Sequence, residues 1–197
     1  IPKENFIIEP SFKKDTGPAS GYAVLKVAMK YPEEPIMFYV QPVVIRTPEE
    51  KYLEMIEGIE KLLIQHKKLI SGGQRPSYPD VGSDYLRLAR EIEATNNLEV
   101  YEVDKFVHRL GDYNKTVELI SNFKVSTHCN HYSWYPNLLI DAIQKYRPDW
   151  YDVLMKIKSV LGTENEYQKV KEIYQEFTPG RIEDVTEKVF DNKEGLI

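Results

Sequence analysis

What most constrains this chain is how clearly its helices are punctuated, and how regularly extended segments come between them. "TPEEKYLEMIEGIEKLL" places Thr47 as an N-cap, Pro48 at the first helical position and Glu50 three residues after the cap. That spacing predicts a capping box, in which hydroxyl and carboxylate satisfy orphan N–H groups reciprocally. Tyr52, Ile56, Ile59 and Leu63 then share one helical face. "DWYDVLMKIKSVLG" predicts a helix capped by Asp149, striped with Trp150, Val153, Leu154, Ile157 and Leu161, and stopped at Gly162. "TENEYQKVKEIYQEF" offers a second capping box, Thr163 with Glu166. "PNLLIDAIQKYRP" opens at Pro136, packs Leu139, Ala142, Ile143 and Tyr146, and closes before Pro148. "PASGYAVLKVAMKYP" is an earlier helix with Ala23, Val24, Val27 and Ala28 on one side, and "YNKTVELISN" after Asp112 is a short one.

The segments between these helices read as strands: "NFIIEP", "EPIMFYVQPVVI", "KLISGG", "DYLRLAREI", "LEVYEVDKFVHRL" and "KVSTHCNHYSWY". Tyr39 and Val40 sit in a continuous apolar run, as in a strand buried on both faces of a parallel sheet. "EVYEVDKFV" alternates, as in a half-exposed strand. Strand and helix alternate in the first half, and the last third is nearly all helix. The expected class is α/β, a sheet flanked by helices with a helical C-terminal third.

Composition removes several functions. The 197 residues fit one ordinary domain. A net charge of -5, with acids interleaved among the bases, argues against nucleic acid; Lys13–Lys14 and Lys67–Lys68 make no footprint. No apolar run approaches the roughly 20 residues that span a membrane, so no membrane partner is expected. One cysteine makes no internal disulfide, which suits the cytoplasm. The chain opens "IPKENFIIEP", without a signal-peptide layout or an initiating Met. Either something is removed or these residues are part of a longer chain.

Three stretches carry candidate chemistry. "STHCNHYSWYP" gathers His128, Cys129 and His131. On a strand, His128 and Asn130 face one way and Cys129 and His131 the other, so the ligands do not converge. A structural zinc site needs four ligands, and His66 and His108 are isolated. The residues therefore read as no metal site, with Cys129 a small buried hydrophobe. "SGGQRPSYPDVGSDY" is a long connection whose paired glycines imply close backbone approach or positive φ. It lacks the spacing of a phosphate-binding loop, and as a long loop it is as readily a plain surface connection as a functional one. "IIEPSFKKDTGPASG" runs into a helix near Pro18, placing Thr16 and Gly17 where a helix N-terminus can hold an anion.

In this order the pieces resemble the central part of the mannose-1-phosphate guanylyltransferases, a branch of the sugar nucleotidyltransferases. Glu9-Pro10 and "KDTGPA" (14–19) follow that family's Glu-Pro and Arg-Asn/Asp-Thr-Ala-Pro-Ala. "VQPVV" (40–44) takes the place of Leu-Pro-Ala-Asp. "GQRPSYPDVGSDYL" (73–86) keeps Pro76, Pro79, Gly82 and Tyr85 of Gly-Ile-x-Pro-Thr-x-Pro-Glu-Thr-Gly-Tyr-Gly-Tyr-Ile. "FVHRL" (106–110) matches Phe-Val-Glu-Lys-Pro, and "CNHYSW" (129–134) matches Trp-Asn-Ser-Gly-Met-Phe. The helix with Tyr146, Pro148, Tyr151 and Leu154, "LGTENE" and Glu187–Lys188 also fit. The match runs from Ile1 to Lys188, carried by collinear order.

The resemblance implies a Rossmann-like nucleotidyltransferase sheet, in one partial domain over 1–197. It implies transfer of a guanylyl group from GTP to mannose 1-phosphate, giving GDP-mannose and pyrophosphate. By its motifs Gly82, Tyr85, His108 and Asn130 would lie at the sugar side, and Lys14 and Thr16 near the base. The family uses Mg²⁺, but Val43 and Val44 stand where its metal-binding Asp belongs, and valine offers no oxygen ligand. His108 replaces a sugar-holding Glu, and His131–Tyr132 replace a small Ser-Gly. The family's Gly-rich, Arg-containing loop precedes the matched region. Catalysis of this type is positioning and electrostatics, so this chain alone is expected to be inactive. The alternative is a non-catalytic sugar-nucleotide-binding or regulatory homologue. Tyr146, Tyr151, Tyr167 and Tyr174 fit either a homo-oligomer contact or, the reading preferred here, ordinary helix packing.

Overall fold

A computed structural model describes residues 2, 5–10, 12–39, 47–95 and 98–197. Chain contacts divide the protein into two compact units, Ile1–Glu34 with Tyr135–Lys188, and Pro35–Trp134 with Val189–Ile197. Among the described residues no helix is long and apolar enough to cross a membrane.

The first unit is helical: α1 (Thr16–Lys30), α4 (Pro136–Tyr146), α5 (Pro148–Val160), α6 (Glu166–Tyr174) and the start of α7 (Glu183–Asp191). α1 packs on α4 and α5, α4 on α5, and α5 on α6. The buried face of α1 is Gly17, Pro18, Gly21, Tyr22, Val24 and Leu25; of the expected Ala23, Val24, Val27 and Ala28, Val24 alone belongs to it. Burying Tyr22 and Leu25 removes more apolar surface than burying two alanines. The glycines let the helices close up: a Cβ at Gly17 would overlap the Trp150 indole and lie 2.9 Å from the Gly180 carbonyl oxygen.

Trp150, fully buried, is the centre of this unit. Its Nε1 donates to the Thr178 carbonyl at 2.8 Å, and the Arg147 guanidinium stacks over its ring at 3.7 Å. Arg147 also donates to Asp149 at 2.8 and 2.9 Å, to Asp184 at 2.8 Å and to Thr178 at 2.8 Å. A guanidinium suits this post because its planar fork stacks and bonds at once. Asp149 is therefore not the expected N-cap of α5. Arg147 holds that position, with Pro148 first in the helix. Pro148 has no N–H to cap, and Asp149 turns back to Arg147 and Thr178.

The Thr163–Glu166 capping box does not form either. Asn165 is the N-cap, in the left-handed region, and Glu166 is the first helical residue. Its carboxylate accepts from the Gly162 N–H at 2.6 Å and pairs with Lys26 at 2.5 Å. Gly162 has φ +74° and ends the α5 turn as expected. "NFIIEP" forms no strand over its described residues 5–10; Phe6, Ile7 and Ile8 are exposed. β-like composition becomes strand only where another edge pairs it. Glu9 instead accepts from the Tyr174 hydroxyl at 2.6 Å. Burial first, and then Glu9, push that phenol far above its ordinary range. Tyr174 packs edge-on against Tyr22 and Phe177, which is the helix-packing role expected of it, whereas Tyr167 is exposed.

Among the described residues the second unit forms a six-stranded sheet: β1 (Ile36–Tyr39), β2 (Leu69–Gln74), β3 (Tyr85–Thr95), β4 (Leu98–Val107), β5 (Val125–Trp134) and β6 (Gly195–Leu196). The order is β1-β5-β2-β6-β4-β3, with β5 pairing β3 as well. α2 (Glu49–His66) and α3 (Tyr113–Asn122) belong to this unit, and α2 packs on β2 and β5. β1 pairs β5 antiparallel, Ile36 opposite Trp134. The expectation of a parallel setting for this segment fails because an apolar run reports burial, whereas direction follows the chain path. Val40, Val43 and Val44 lie outside the described residues. β2 and β6 are parallel; the other described pairings are antiparallel.

α3 forms where a short helix is expected, and Asp112 caps it, accepting from the Lys115 N–H at 2.9 Å. The Thr47 capping box does not form. α2 starts at Glu49 with Pro48 as N-cap, so Thr47 falls one residue too early and Glu50 one residue too soon. Glu49 and Glu50 in the first turn complement the helix dipole instead.

Two measurements check this packing. Gly17→Ala should lower stability by about 1–3 kcal/mol through overpacking, read as a fall in urea midpoint; an unchanged midpoint contradicts the contact with Trp150. The Arg147 guanidinium holds Asp149 down from 3.8 to about 2. A carboxyl depressed on folding contributes stability that is complete above its unfolded pKa and is lost as pH falls through its folded one. Asp149→Asn should therefore flatten the decline in melting temperature between about pH 4 and pH 2, while parallel curves contradict the assignment.

Candidate functional site

The loop from 75 to 84 joins β2 to β3, and its far end is tightly built. The Asp80 carboxylate accepts from the Gly82 N–H at 2.9 Å and the Ser83 hydroxyl at 2.6 Å. Those bonds, Ser83 first, hold its pKa below the usual carboxylate range. Tyr85 is fully buried. Its hydroxyl accepts from the Asp80 N–H at 3.0 Å and donates to the Asp80 carbonyl at 2.9 Å. Burial raises this phenol, which keeps it a donor at neutral pH.

Asp84 fixes the turn to the strands beside it. Its carboxylate accepts from the Arg109 N–H at 2.7 Å, with the His108 Nδ1 3.9 Å away. Its carbonyl accepts from the His128 N–H at 2.9 Å, and the Val81 carbonyl from the Gly111 N–H at 3.3 Å. His108, distant in sequence, thus lies beside the turn that holds Gly82 and Tyr85. Asn130 sits on β5 two residues beyond His128, and its side chain lies outside what is described. The turn itself takes up the Tyr85 hydroxyl and the Gly82 N–H. His108 stacks edge-on against Phe106 at 5.0 Å and is half-exposed.

Lys14 and Thr16 belong to the helical unit. The Lys14 ammonium donates to the Gln175 carbonyl at 2.7 Å. The Thr16 hydroxyl accepts from the Ile182 N–H at 3.0 Å, while its N–H donates to Asp15 at 2.7 Å. Gly17 N–H reaches the Gly180 carbonyl at 2.9 Å, and Gly180 N–H the Lys14 carbonyl at 3.1 Å. Between them Asp15 is held at φ 69°, ψ −177°, a region almost reserved for glycine. The first two amides of α1 are thus engaged within this turn.

The two histidines of "THCNH" point to opposite faces of β5. His128 packs on Phe106, Tyr132 and Phe190, His131 on Tyr52 of α2. A bulge separates them, Gly72 facing His131 and Gly73 facing His128. Cys129 is half-buried, not buried, with its Sγ 3.7 Å from the Thr127 carbonyl oxygen. Among the described residues no three His, Cys, Asp or Glu side chains are grouped to hold a metal ion.

A second feature escapes sequence reasoning. A cavity of about 680 Å³ opens among α2, α3 and the sheet. Lys51, Arg75, Glu99, Tyr101 and Lys124 are its charged and phenolic lining. Arg75 pairs with Glu99, and the Tyr101 hydroxyl, with one proton to donate, lies 2.8 Å from a Glu91 carboxylate oxygen and 2.7 Å from one of Glu99. The Lys124 ammonium lies 4.1 Å over the Tyr101 ring and bonds its hydroxyl. Arg75 first, then Tyr101, hold Glu99 down to about 2, and the same carboxylates keep Tyr101 protonated well beyond the ordinary phenol range. The one local signal was the alternation of Glu99 and Tyr101 on β4. The paired glycines serve the same place: a Cβ on Gly73 would overlap Ser126. Close approach, not positive φ, is their reason.

No protein-family model matches the chain, and no curated protein sequence matches it. Solved structures do. A "mannose-1-phosphate geranyltransferase" from Thermus thermophilus superposes with TM-score 0.72 at 18% identity, over 96% of this chain and 51% of that one. A "mannose-6-phosphate isomerase" from Helicobacter pylori superposes with TM-score 0.65 at 16% identity, over 89% of this chain and 64% of that one. The chain thus has the fold that its motif order implies, and it spans about half to two thirds of these neighbours' lengths. Tyr85→Phe should cost about 1–2 kcal/mol in urea denaturation by orphaning the Asp80 amide and carbonyl; a neutral result contradicts the brace.

Proposed function

We propose that this chain is part of a sugar nucleotidyltransferase of the mannose-1-phosphate guanylyltransferase type, a partial domain of it. The reaction joins mannose 1-phosphate to the guanylyl group of GTP, forming GDP-mannose and releasing pyrophosphate. One observation carries the reading. The Asp80–Tyr85 turn, matched by order to the family's sugar-side motif, is bonded to the end of β4 beside His108 and to β5, the strand of Asn130. Fold likeness over nearly the whole chain supports it. In this reading Tyr85 sets the turn, His108 and Asn130 are sugar-side residues, and Lys14 and Thr16 are nucleotide-side residues.

The residues present do not fit the Mg²⁺ of such enzymes. Val43 and Val44 occupy the place of the oxygen ligand, and a hard cation needs oxygen. In this reading no step runs through the metal, and these 197 residues do not turn over by themselves. The same two valines, with His108 in place of a carboxylate, favour a second reading, a homologue that binds a sugar nucleotide without turnover.

A pyrophosphate-release assay with GTP and mannose 1-phosphate separates the two. Turnover by the full gene product containing this chain, and none by the 197 residues alone, is the expected result. No turnover by the full product, together with binding heat for GDP-mannose in calorimetry, would establish the second reading. Neither turnover nor binding heat at millimolar ligand would overturn both.

A further inference from the structure

The cavity among α2, α3 and the sheet is independent of the turn at Asp80. Neither Gly82, Tyr85 nor His108 lines it. Protein interiors pack to crystal-like density, and about 680 Å³ is far more than packing leaves, but is typical of small-ligand sites. Its chemistry is divided. Ile59, Leu62, Ile70 and Val100, all nearly inaccessible, line the interior. Ionised groups gather elsewhere on the wall: Arg75 pairs with Glu99, Lys51 with Glu54 at 2.7 Å, and Lys124 lies 3.9 Å from both Glu91 and Glu99. Arg75 is anchored by Glu99 yet its side chain is 76% exposed, and Lys124 is about half-exposed. Both can turn further donors toward an incoming anion.

A sugar would leave its hydroxyls unpaired against such an interior, at a cost for each. A ligand with an apolar body and one anionic group meets both halves of the wall. We propose that this cavity is a binding site for a small amphipathic monoanion, a carboxylate or sulfonate on an apolar or aromatic body. The body lies against Leu62, Ile70 and Val100, and the anion is met by Arg75 and Lys124. Tyr101, bonded to Glu99 and Lys124 at once, sets the position of both charged partners.

The test uses two fluorescent probes with one naphthalene body: 1-anilinonaphthalene-8-sulfonate, an anion, and N-phenyl-1-naphthylamine, which is neutral. Both should bind saturably, one per chain. Arg75→Gln with Lys124→Gln should weaken the sulfonate probe about tenfold, the loss of a charge-assisted bond, and leave the neutral probe within about twofold. Leu88→Trp, which fills the cavity from β3, should abolish binding of both while thermal unfolding stays cooperative. If that variant fails to fold, the double glutamine variant decides, since both its sites are largely exposed. Uptake that does not saturate at one probe per chain overturns the proposal. So does equal affinity of the anionic probe for wild type and the double variant.

Discussion

The sheet unit depends on one strand. β5 pairs with β1 on one side and β2 on the other, and its first residues also pair with β3. A strand with that many neighbours has little room for solvated side chains, and His131, Tyr132, Ser133 and Trp134 are all buried. The bulge between His128 and His131 lies in the pairing with β2, which continues on both sides of it. One histidine is left in an aromatic cluster with Phe106 and Phe190, the other beside α2. The two histidines and cysteine that suggest metal or thiol chemistry in sequence are, in space, parts of a sheet's two surfaces.

The helical unit has its own organiser. Trp150 fills the space that Gly17 and Gly180 leave open, and Arg147 covers it while binding two carboxylates. This arrangement holds the segment from Lys14 to Gly17 against the loop at 178–182. The strained Asp15 persists because bonds on both sides over-determine it. The expected base-side turn is therefore rigid, with most of its polar groups already committed.

Several elements were legible: the short helix after Asp112, α4 between its prolines, and the extended segments that become β3, β4 and β5. Caps were less so, because a capping box specifies a spacing but not which residue begins the helix; Thr47 and Thr163 each missed by the start point of the next helix. The strand at 5–10 failed because strand formation needs a partner edge that local sequence does not contain. At the candidate site, motif order named Gly82, Tyr85 and His108, and the fold sets His108 beside the turn that holds the other two. It did not reveal that Tyr85 spends its hydroxyl on Asp80. The cavity was invisible because Lys51, Arg75, Glu99 and Lys124 come from four separate elements that meet only in the folded sheet unit.

Asp80, Tyr85 and Asp84 build the turn; the proposed function adds His108 and Asn130 as sugar-side residues. The most direct measurement is a two-dimensional amide NMR titration of the protein with mannose 1-phosphate. The account predicts saturable shifts that cluster at Gly82, His108–Arg109 and Cys129–His131, with the Arg147–Trp150 cluster unmoved. No saturable shifts, or shifts confined to residues away from the Asp80–Tyr85 turn and β5, would contradict it.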